Sequence, residues 1–156
     1  MDKLDFDVIV VGGGPAGSSA ARMAAENGCT VALIEKEKEI AETVRTSGVT
    51  WISDIKKFGI PEECYNPIKK FSFCSPKNTV LIEDKVAKAA VLDVRKTYRF
   101  LASRAESSGS QVFVSTNVSE VLQDSNGNCI GVIAKSGEKQ IQFNGKVVID
   151  ASGFAS

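Results

Sequence analysis

The fold of this chain follows from residues 8–35, which read VIVVGGGPAGSSAARMAAENGCTVALIE. The stretch begins as an apolar strand, turns at three consecutive glycines, continues through an alanine-rich helix that stops at Gly28, and ends with a second apolar strand. In such a unit Gly12 allows the tight turn, Gly14 leaves space for a pyrophosphate, and Gly17 lets the helix lie close to the first strand. The stretch therefore predicts a dinucleotide-binding unit.

The same stretch presents polar groups that suit a nucleotide. The helix begins near Pro15 and Ala16, where unpaired N–H groups and the positive end of the helix dipole favour phosphate. Glu35 ends the second strand, where a carboxylate can accept hydrogen bonds from an adenosine ribose and repels a 2′-phosphate, so NADP is disfavoured. Lys36 follows and is also a cofactor-binding candidate, although the alternating charges of 36–39 are typical of a solvated face.

A glycine-rich turn between two core elements is the alternative interpretation. It accounts for the glycines, but not for a strand, a helix, a second strand and a terminal carboxylate in this order. We therefore favour the dinucleotide site. The motif does not by itself separate FAD from NAD.

Composition narrows the class of protein. Hydrophobic residues make up 43% of the chain, 19 basic residues balance 19 acidic ones, and no apolar run approaches the ~18 residues that a membrane span needs. Neither this balance nor the pattern indicates a nucleic-acid surface. The four cysteines form no CxxC pair and histidine is absent, which argues against a disulfide-reductase centre and a histidine metal site. Residues 1–7 run directly into the first strand, so we expect no cleaved leader and a cytoplasmic protein.

The patterns in the first two thirds of the chain alternate between helix and strand. A short helix is expected within 35–44, a helix with a core-facing apolar stripe at 51–58, and a hairpin at 68–83. Asp93 is expected to cap a helix that continues to Gly109.

The last third of the chain predicts mostly strands. A strand is expected at 111–115, followed by a three-stranded meander with turns at Asn126-Gly127 and Ser136-Gly137. Asn144-Gly145 should then lead into a separate buried strand at 146–150. Together the elements indicate an α/β, Rossmann-like domain, with a parallel sheet and the meander as a crossover between its strands.

With these motifs the chain resembles the geranylgeranyl reductase family of FAD-dependent oxidoreductases, flavoproteins of the glutathione-reductase-2 type. The resemblance covers nearly all of the chain and rests on five segments, at 7–35, 44–49, 92–95, 115–118 and 148–153. It implies an FAD-binding domain over 1–156, in which 60–90 is an insertion that contributes a hairpin to a substrate-binding sheet. It also implies that the chain is the N-terminal part of a longer enzyme.

The resemblance implies which residues contact FAD. The glycine turn would hold the ADP half and Glu35 the ribose, while the 45–48 segment would approach the flavin end. An arginine early in the later helix would reach the phosphates, a backbone group after the 111–115 strand would touch the adenine, and the second glycine motif would pack on the cofactor. The implied cofactor-binding residues are Gly12, Gly14, Pro15, Ala16, Gly17, Glu35, Lys36, Arg45, Gly48, Arg95, Val118, Ala151 and Gly153. No catalytic side chain is implied, because the flavin carries the hydride or electrons itself.

The implied activity is reduction of isolated double bonds in a geranylgeranyl or other prenyl lipid by hydride from reduced FAD. An external donor, NAD(P)H or ferredoxin, would reduce the flavin, and a lipid substrate would bring peripheral membrane contact. Two alternatives remain open. The first is a flavin monooxygenase or halogenase, because Thr46 and Ser47 stand where many of these reductases have a cysteine and because 149–154 is also similar to halogenases and aromatic hydroxylases. The second is a nucleotide-binding module without catalysis.

Overall fold

The computed structural model of the protein describes residues 2–155. The chain divides into two compact units, which we call the sheet unit (the residues up to Thr43 and from Tyr98 onward) and the inserted unit (Val44–Thr97). In chain order the helices and strands are β1 (Asp2–Val11), α1 (Pro15–Glu26), β2 (Val31–Ile34), β3 (Val49–Trp51), α2 (Ile52–Phe58), β4 (Tyr65–Ile68), β5 (Lys70–Cys74), β6 (Thr79–Glu83), β7 (Ala89–Leu92), α3 (Val94–Ser107), β8 (Gln111–Phe113), β9 (Asn117–Gln123), β10 (Cys129–Ser136) and β11 (Lys139–Asp150). Short 3-10 turns lie at Glu62–Cys64 and Gly153–Ala155.

The sheet unit is built on one mixed sheet. Among the described residues its strand order is β8-β2-β1-β11-β10-β9. β2 and β11 pair with β1 in parallel, β8 pairs with β2 in parallel, and β10 and β9 continue the sheet in antiparallel fashion. The chain moves from β1 through α1 to β2 on one side, whereas β11 lies on the other side. A crevice at the carboxyl ends of strands that diverge in this way is where open α/β sheets bind ligands.

The core of the sheet unit lies on both faces of β1, because alternate residues of a strand point in opposite directions. Val10 packs with Ala21 of α1 on one face, and Ile9 packs with Phe143 of β11 on the other. Phe143 meets Phe113 edge to face, with ring centroids 5.0 Å apart. The predicted α/β fold with a parallel-containing sheet is confirmed, and the alanines of α1 allow its close approach to the sheet.

The predicted meander is present as β9, β10 and β11, but its last strand is longer than expected. β11 runs unbroken from Lys139 to Asp150, so the expectation of a strand that begins only after Asn144-Gly145 is wrong. The strand is also less buried than its composition indicates, since Val147 is 51% exposed.

The pairing of β11 with β1 explains why β11 continues through Asn144-Gly145. β1 and β11 stay in register along ten-residue stretches that include this dipeptide, and Asn144 Nδ2 donates to Asp5 Oδ1 at 2.8 Å. A Cβ atom at Gly145 would come within 2.7 Å of Ile9 Cδ1. The glycine therefore serves close packing within a strand.

Two further predictions in the region after β2 are wrong. Residues 35–44 form bends and turns without a helix. The apolar stripe at 51–58 does not face a core as a whole: Ile55 is 2% exposed, but Trp51 ends β3 with 60% of its surface exposed and Phe58 is 54% exposed. The helix at this point is the seven-residue α2, which ends at Gly59 in the left-handed conformation.

The inserted unit contains two small sheets. One has the order β3-β7-β4, and the other is the β5–β6 hairpin. The hairpin was predicted and is confirmed, with its turn at 75–78. The first of these sheets was not predicted, because strands of three or four residues carry too little periodicity to recognise. The predicted helix after Asp93 is confirmed as α3.

Candidate dinucleotide site

Gly12 in the turn and Gly17 in the first turn of α1 are both required by close backbone contacts. Gly12 has φ of +105°, and a Cβ atom there would lie 2.5 Å from the carbonyl oxygen of Ala151. Its N–H donates to the carbonyl of Ile34 at 2.7 Å, which ties the turn to the end of β2. A Cβ atom at Gly17 would collide with the carbonyl oxygen of Gly12. Both positions exclude any other residue, as the motif predicts.

Gly14 has the opposite environment. It precedes α1 in an extended conformation, with φ of −70° and ψ of −176°, and a Cβ atom there would meet no described atom within 4 Å. Pro15 and Ala16 begin α1 and are exposed. Open space above a glycine at a helix N-terminus is what a pyrophosphate group requires, because its oxygens can approach the backbone N–H groups directly. This part of the chain therefore fits the phosphates of FAD.

Gly13 is a constrained position of the turn that the motif does not identify. Its N–H donates to Glu35 Oε2 at 2.8 Å. A Cβ atom there would collide with Ile40 Cδ1 and would lie 3.0 Å from Glu35 Oε2. The motif treats this position as variable, and the signal that identifies it is the packing of Ile40, a residue far along the chain.

Glu35 lies half-buried beyond the end of β2 with its carboxylate fixed in place. Oε2 accepts the Gly13 bond and Oε1 accepts the N–H of Glu37 at 2.9 Å. A carboxylate has about four lone-pair directions, so two acceptor directions remain for ribose hydroxyls. Lys36 is exposed beside it. The carboxylate is thus oriented by the backbone before any ligand arrives.

The segment between β8 and β9 runs alongside the residues that follow β2. The N–H of Thr116 donates to the carbonyl of Glu35 at 2.9 Å, and the N–H of Ser115 donates to the carbonyl of Glu37 at 2.7 Å. Ser115 has φ of +50°, a conformation that costs energy for a residue with a side chain. Val118, the predicted adenine neighbour, lies three residues after Ser115 at the start of β9, with its side chain against the core.

The second glycine motif packs directly on the first. The N–H of Ala151 donates to the carbonyl of Val11 at 2.8 Å. Asp150 Oδ1 accepts the hydroxyl of Ser152 at 2.6 Å and its N–H at 2.9 Å, and these two bonds, the hydroxyl first, hold the pKa of Asp150 below its ordinary value. Gly153 is exposed, with φ of +82°. The structure therefore brings both glycine motifs and Glu35 together at one edge of the sheet.

Three predicted cofactor residues lie in the inserted unit. Gly48 is buried with φ of +73°, and a Cβ atom there would lie 2.8 Å from Val94 Cγ2. Arg45 is exposed, and so is Arg95 in the first turn of α3. Asp93 caps that helix by accepting the N–H of Lys96 at 3.0 Å, and this bond lowers the pKa of Asp93. These contacts account for Gly48, while the roles of both arginines stay predictions.

Two other features are absent from residues 2–155. No group of three or more acidic or cysteine side chains there could hold a metal ion. Within the same residues, the helices lack the length and apolarity needed to cross a membrane.

Comparison with known families gives one clear assignment. The family model described as FAD dependent oxidoreductase matches residues 7–156. Two archaeal proteins called digeranylgeranylglycerophospholipid reductase are similar: that of Methanocella arvoryzae is 36% identical over 99% of this chain and 41% of its own length, and that of Methanocaldococcus jannaschii is 36% identical over 97% of this chain and 39% of its own length. The chain thus spans about two fifths of the length of these relatives.

Solved structures agree with this assignment. A geranylgeranyl bacteriochlorophyll reductase-like protein from Thermoplasma acidophilum matches with a TM-score of 0.89 and 28% identity, over 98% of this chain and 40% of that one. A myxobacterial chondrochloren halogenase matches with a TM-score of 0.78 and 20% identity, over 98% of this chain and 38% of that one. The likeness to the halogenase, at this identity, concerns the fold.

Proposed function

The chain belongs to the FAD-dependent oxidoreductases, with FAD as cofactor, and from that premise we propose that it serves an enzyme that reduces isolated double bonds of a geranylgeranyl or related prenyl lipid. The observation that carries the proposal is the 36% identity, over nearly the whole chain, to two digeranylgeranylglycerophospholipid reductases. In this proposal an external donor, NAD(P)H or ferredoxin, reduces the flavin. A lipid substrate brings the enzyme into peripheral contact with a membrane.

The proposed FAD site uses the sheet unit for the ADP half. The N–H groups at Gly14 and Ala16 bind the pyrophosphate, because the space above Gly14 is open and the helix dipole is positive there. Glu35 accepts the ribose hydroxyls with the lone pairs that Gly13 and Glu37 leave free. Further contacts in the proposal come from Pro15, Lys36, Val118, Ala151 and Gly153.

In this proposal the inserted unit contributes the residues that contact the flavin and the substrate. In the proposal Arg45 and Gly48 approach the flavin end and Arg95 the phosphates, as the resemblance implies. When bound, FAD supplies hydride transfer, so the chain's own task is to hold the cofactor and to exclude water from the reacting centre.

The exposed apolar face of the β5–β6 hairpin supports the proposal of an apolar substrate. The strand register places Phe71 opposite Ile82 and Phe73 opposite Val80, so these four side chains share one face. Phe73 is 62% exposed, Val80 56% and Ile82 45%. An apolar face of this kind suits a polyprenyl chain. We propose that 60–90 contributes this face to a substrate-binding sheet.

A flavin halogenase or monooxygenase is the second candidate, because Thr46 and Ser47 stand where many of the reductases have a cysteine and because 149–154 is also similar to halogenases and aromatic hydroxylases. The two candidates differ in their need for oxygen. The test incubates the native protein that carries this sequence with FAD, dithionite and a geranylgeranyl lipid under strict anaerobiosis, and measures the mass of the lipid. A gain of two mass units per reduced double bond supports the reductase. Product formation only after oxygen is admitted, with oxygen incorporated or halide consumed, supports the second candidate and rejects the first.

A further inference from the structure

Gly13 has both of its backbone polar groups held by side chains. Its N–H donates to the carboxylate of Glu35 at 2.8 Å, and its carbonyl accepts the hydroxyl of Ser18 at 3.1 Å. Ser18 lies five residues later, in the first turns of α1, and is 0% exposed. Its own N–H donates to the carbonyl of Gly14 at 2.9 Å, which starts the helix. The hydrogen bond from the Ser18 hydroxyl is therefore shielded from solvent.

The hydrogen bond from Ser18 to the Gly13 carbonyl also fixes the direction of the Gly14 N–H. The carbonyl of Gly13 and the N–H of Gly14 belong to one planar trans peptide, so they point in opposite directions. With the carbonyl held toward Ser18 inside the unit, the Gly14 N–H points away from Ser18. A Cβ atom at Gly14 would meet nothing within 4 Å among the described atoms, so this part of the turn is accessible to a ligand.

We propose that Ser18 is a positioning residue of the cofactor site, which fixes the Gly13–Gly14 peptide plane so that the Gly14 N–H is presented to the pyrophosphate of FAD. The inference rests on the FAD site of the proposed function. It differs from a purely structural role in one respect. Loss of a purely structural bond lowers the affinity of every ligand of the site alike. Loss of this orientation lowers the affinity only of those ligands that carry the pyrophosphate.

The test compares ADP with adenosine on the full chain by calorimetric titration, in the wild type and in Ser18→Ala. Without the Ser18 bond the Gly14 N–H is no longer oriented before the ligand arrives, and losing one well-oriented hydrogen bond to the pyrophosphate corresponds to about a ten-fold change in affinity. We expect ADP to bind about ten-fold more weakly to Ser18→Ala, with adenosine unchanged within about two-fold. The matched control is Ser19→Ala, because Ser19 is adjacent and half-buried, and its hydroxyl bonds to no part of the turn among the described residues. That variant should bind both ligands as the wild type does.

A spectroscopic readout follows the peptide itself. With 15N-glycine labelling, the Gly14 amide proton of the wild type should shift strongly downfield when ADP is added, and the shift should shrink in Ser18→Ala. Where Ser18→Ala does not fold, Ser18→Cys replaces it, because a thiol keeps the side-chain volume but is a weak donor; we expect the same selective loss for ADP, in a smaller amount.

The outcomes separate the two proposals. Equal weakening of ADP and adenosine, or unchanged binding of both, would overturn the role of Ser18 and leave the FAD site intact. A wild-type chain that does not prefer ADP to adenosine would overturn the proposed pyrophosphate site and the role of Ser18 together.

Discussion

The sheet unit and the inserted unit differ in how their strands are supported. β1 has a parallel partner on each edge and side chains packed on both faces, so Ile9 and Val10 are 0% exposed. In the β5–β6 hairpin each strand has a single partner, and every residue of β6 is exposed. A two-stranded hairpin is marginal in water by itself, whereas a close-packed core tolerates little change. The glycine turn and Glu35 therefore adjoin a close-packed core, whereas the apolar residues of the hairpin lie on an exposed two-stranded sheet.

The largest effect is expected where the glycine turn meets the core. Gly17→Ala places a methyl group onto the carbonyl of Gly12, and we expect it to destabilise the fold by about 3 kcal/mol or more. Thermal unfolding followed by circular dichroism measures the change.

The matched control is Gly14→Ala, whose methyl group meets open space. It should change stability by less than about 1 kcal/mol yet weaken FAD binding at least about ten-fold, since the methyl group enters the proposed pyrophosphate position. Equal stability losses for the two variants would contradict the described packing of the turn.

Alanine substitution of one phenylalanine in each unit compares how much each ring contributes to stability. Phe143 is 0% exposed between two sheet neighbours, so Phe143→Ala should cost about 3–5 kcal/mol. Phe73→Ala in the hairpin, where the ring is 62% exposed, should stay within about 0.5 kcal/mol. Denaturant unfolding of both variants measures the contrast, and similar midpoints for the two would show that the hairpin belongs to the cooperative core.

Glu35→Gln separates binding from folding. The amide oxygen of glutamine can still accept the N–H of Gly13, so we expect little change in melting temperature. Ribose hydroxyls lose a charged acceptor, and affinity for ADP should fall about ten-fold. The matched control is Glu37→Gln, because Glu37 contacts the Glu35 carboxylate through its backbone N–H and Ser115 through its backbone carbonyl, and the variant keeps both groups. An equal loss in both variants would mean that general charge, and not the ribose contact, governs the affinity.

The smallest expected effect depends on pH and concerns the other end of the sheet. Asp7 accepts bonds from Lys146 Nζ at 2.7 Å and from the N–H and hydroxyl of Thr30 at 2.8 Å each. These donors, Lys146 first, hold the pKa of Asp7 far below its ordinary value. Because the pKa is lower in the folded state, the stabilisation is complete above the unfolded pKa of ~3.9 and is lost as the pH falls below it.

The melting temperatures of wild type and Asp7→Asn should therefore differ most near neutral pH and converge in acid. Lys146→Met, which removes the first donor, should reduce the wild-type dependence on pH in the same range. A difference between wild type and Asp7→Asn that stays constant down to about pH 2 would show that the carboxylate charge has no part in it.

Local patterns predicted the features that depend on local backbone chemistry. The conformation of Gly12, the cap at Asp93 and the hairpin turn at Asn126-Gly127 need only their neighbours in sequence, and all three are present. The pairing of Asn144-Gly145 with β1 depends on a strand far away in sequence, and it overrides the preference of this dipeptide for turns.

The site was predicted in outline for the same reason. The glycines and Glu35 follow a fixed spacing within one strand–helix–strand unit. Gly13 was missed because its constraint comes from Ile40, and Ser18 because a serine in an alanine-rich helix gives no sign of where its hydroxyl points. Contacts of this kind need the folded coordinates.

The central claim is that the sheet unit captures FAD through its ADP half. The most direct measurement is the visible absorption spectrum of the purified chain after incubation with FAD and removal of free ligand, with FMN in a parallel sample. We expect a flavin band to be retained with FAD and absent with FMN, which lacks the adenosine phosphate half. Equal retention of FMN and FAD, or the absence of a flavin band in both samples, would contradict capture through the ADP half.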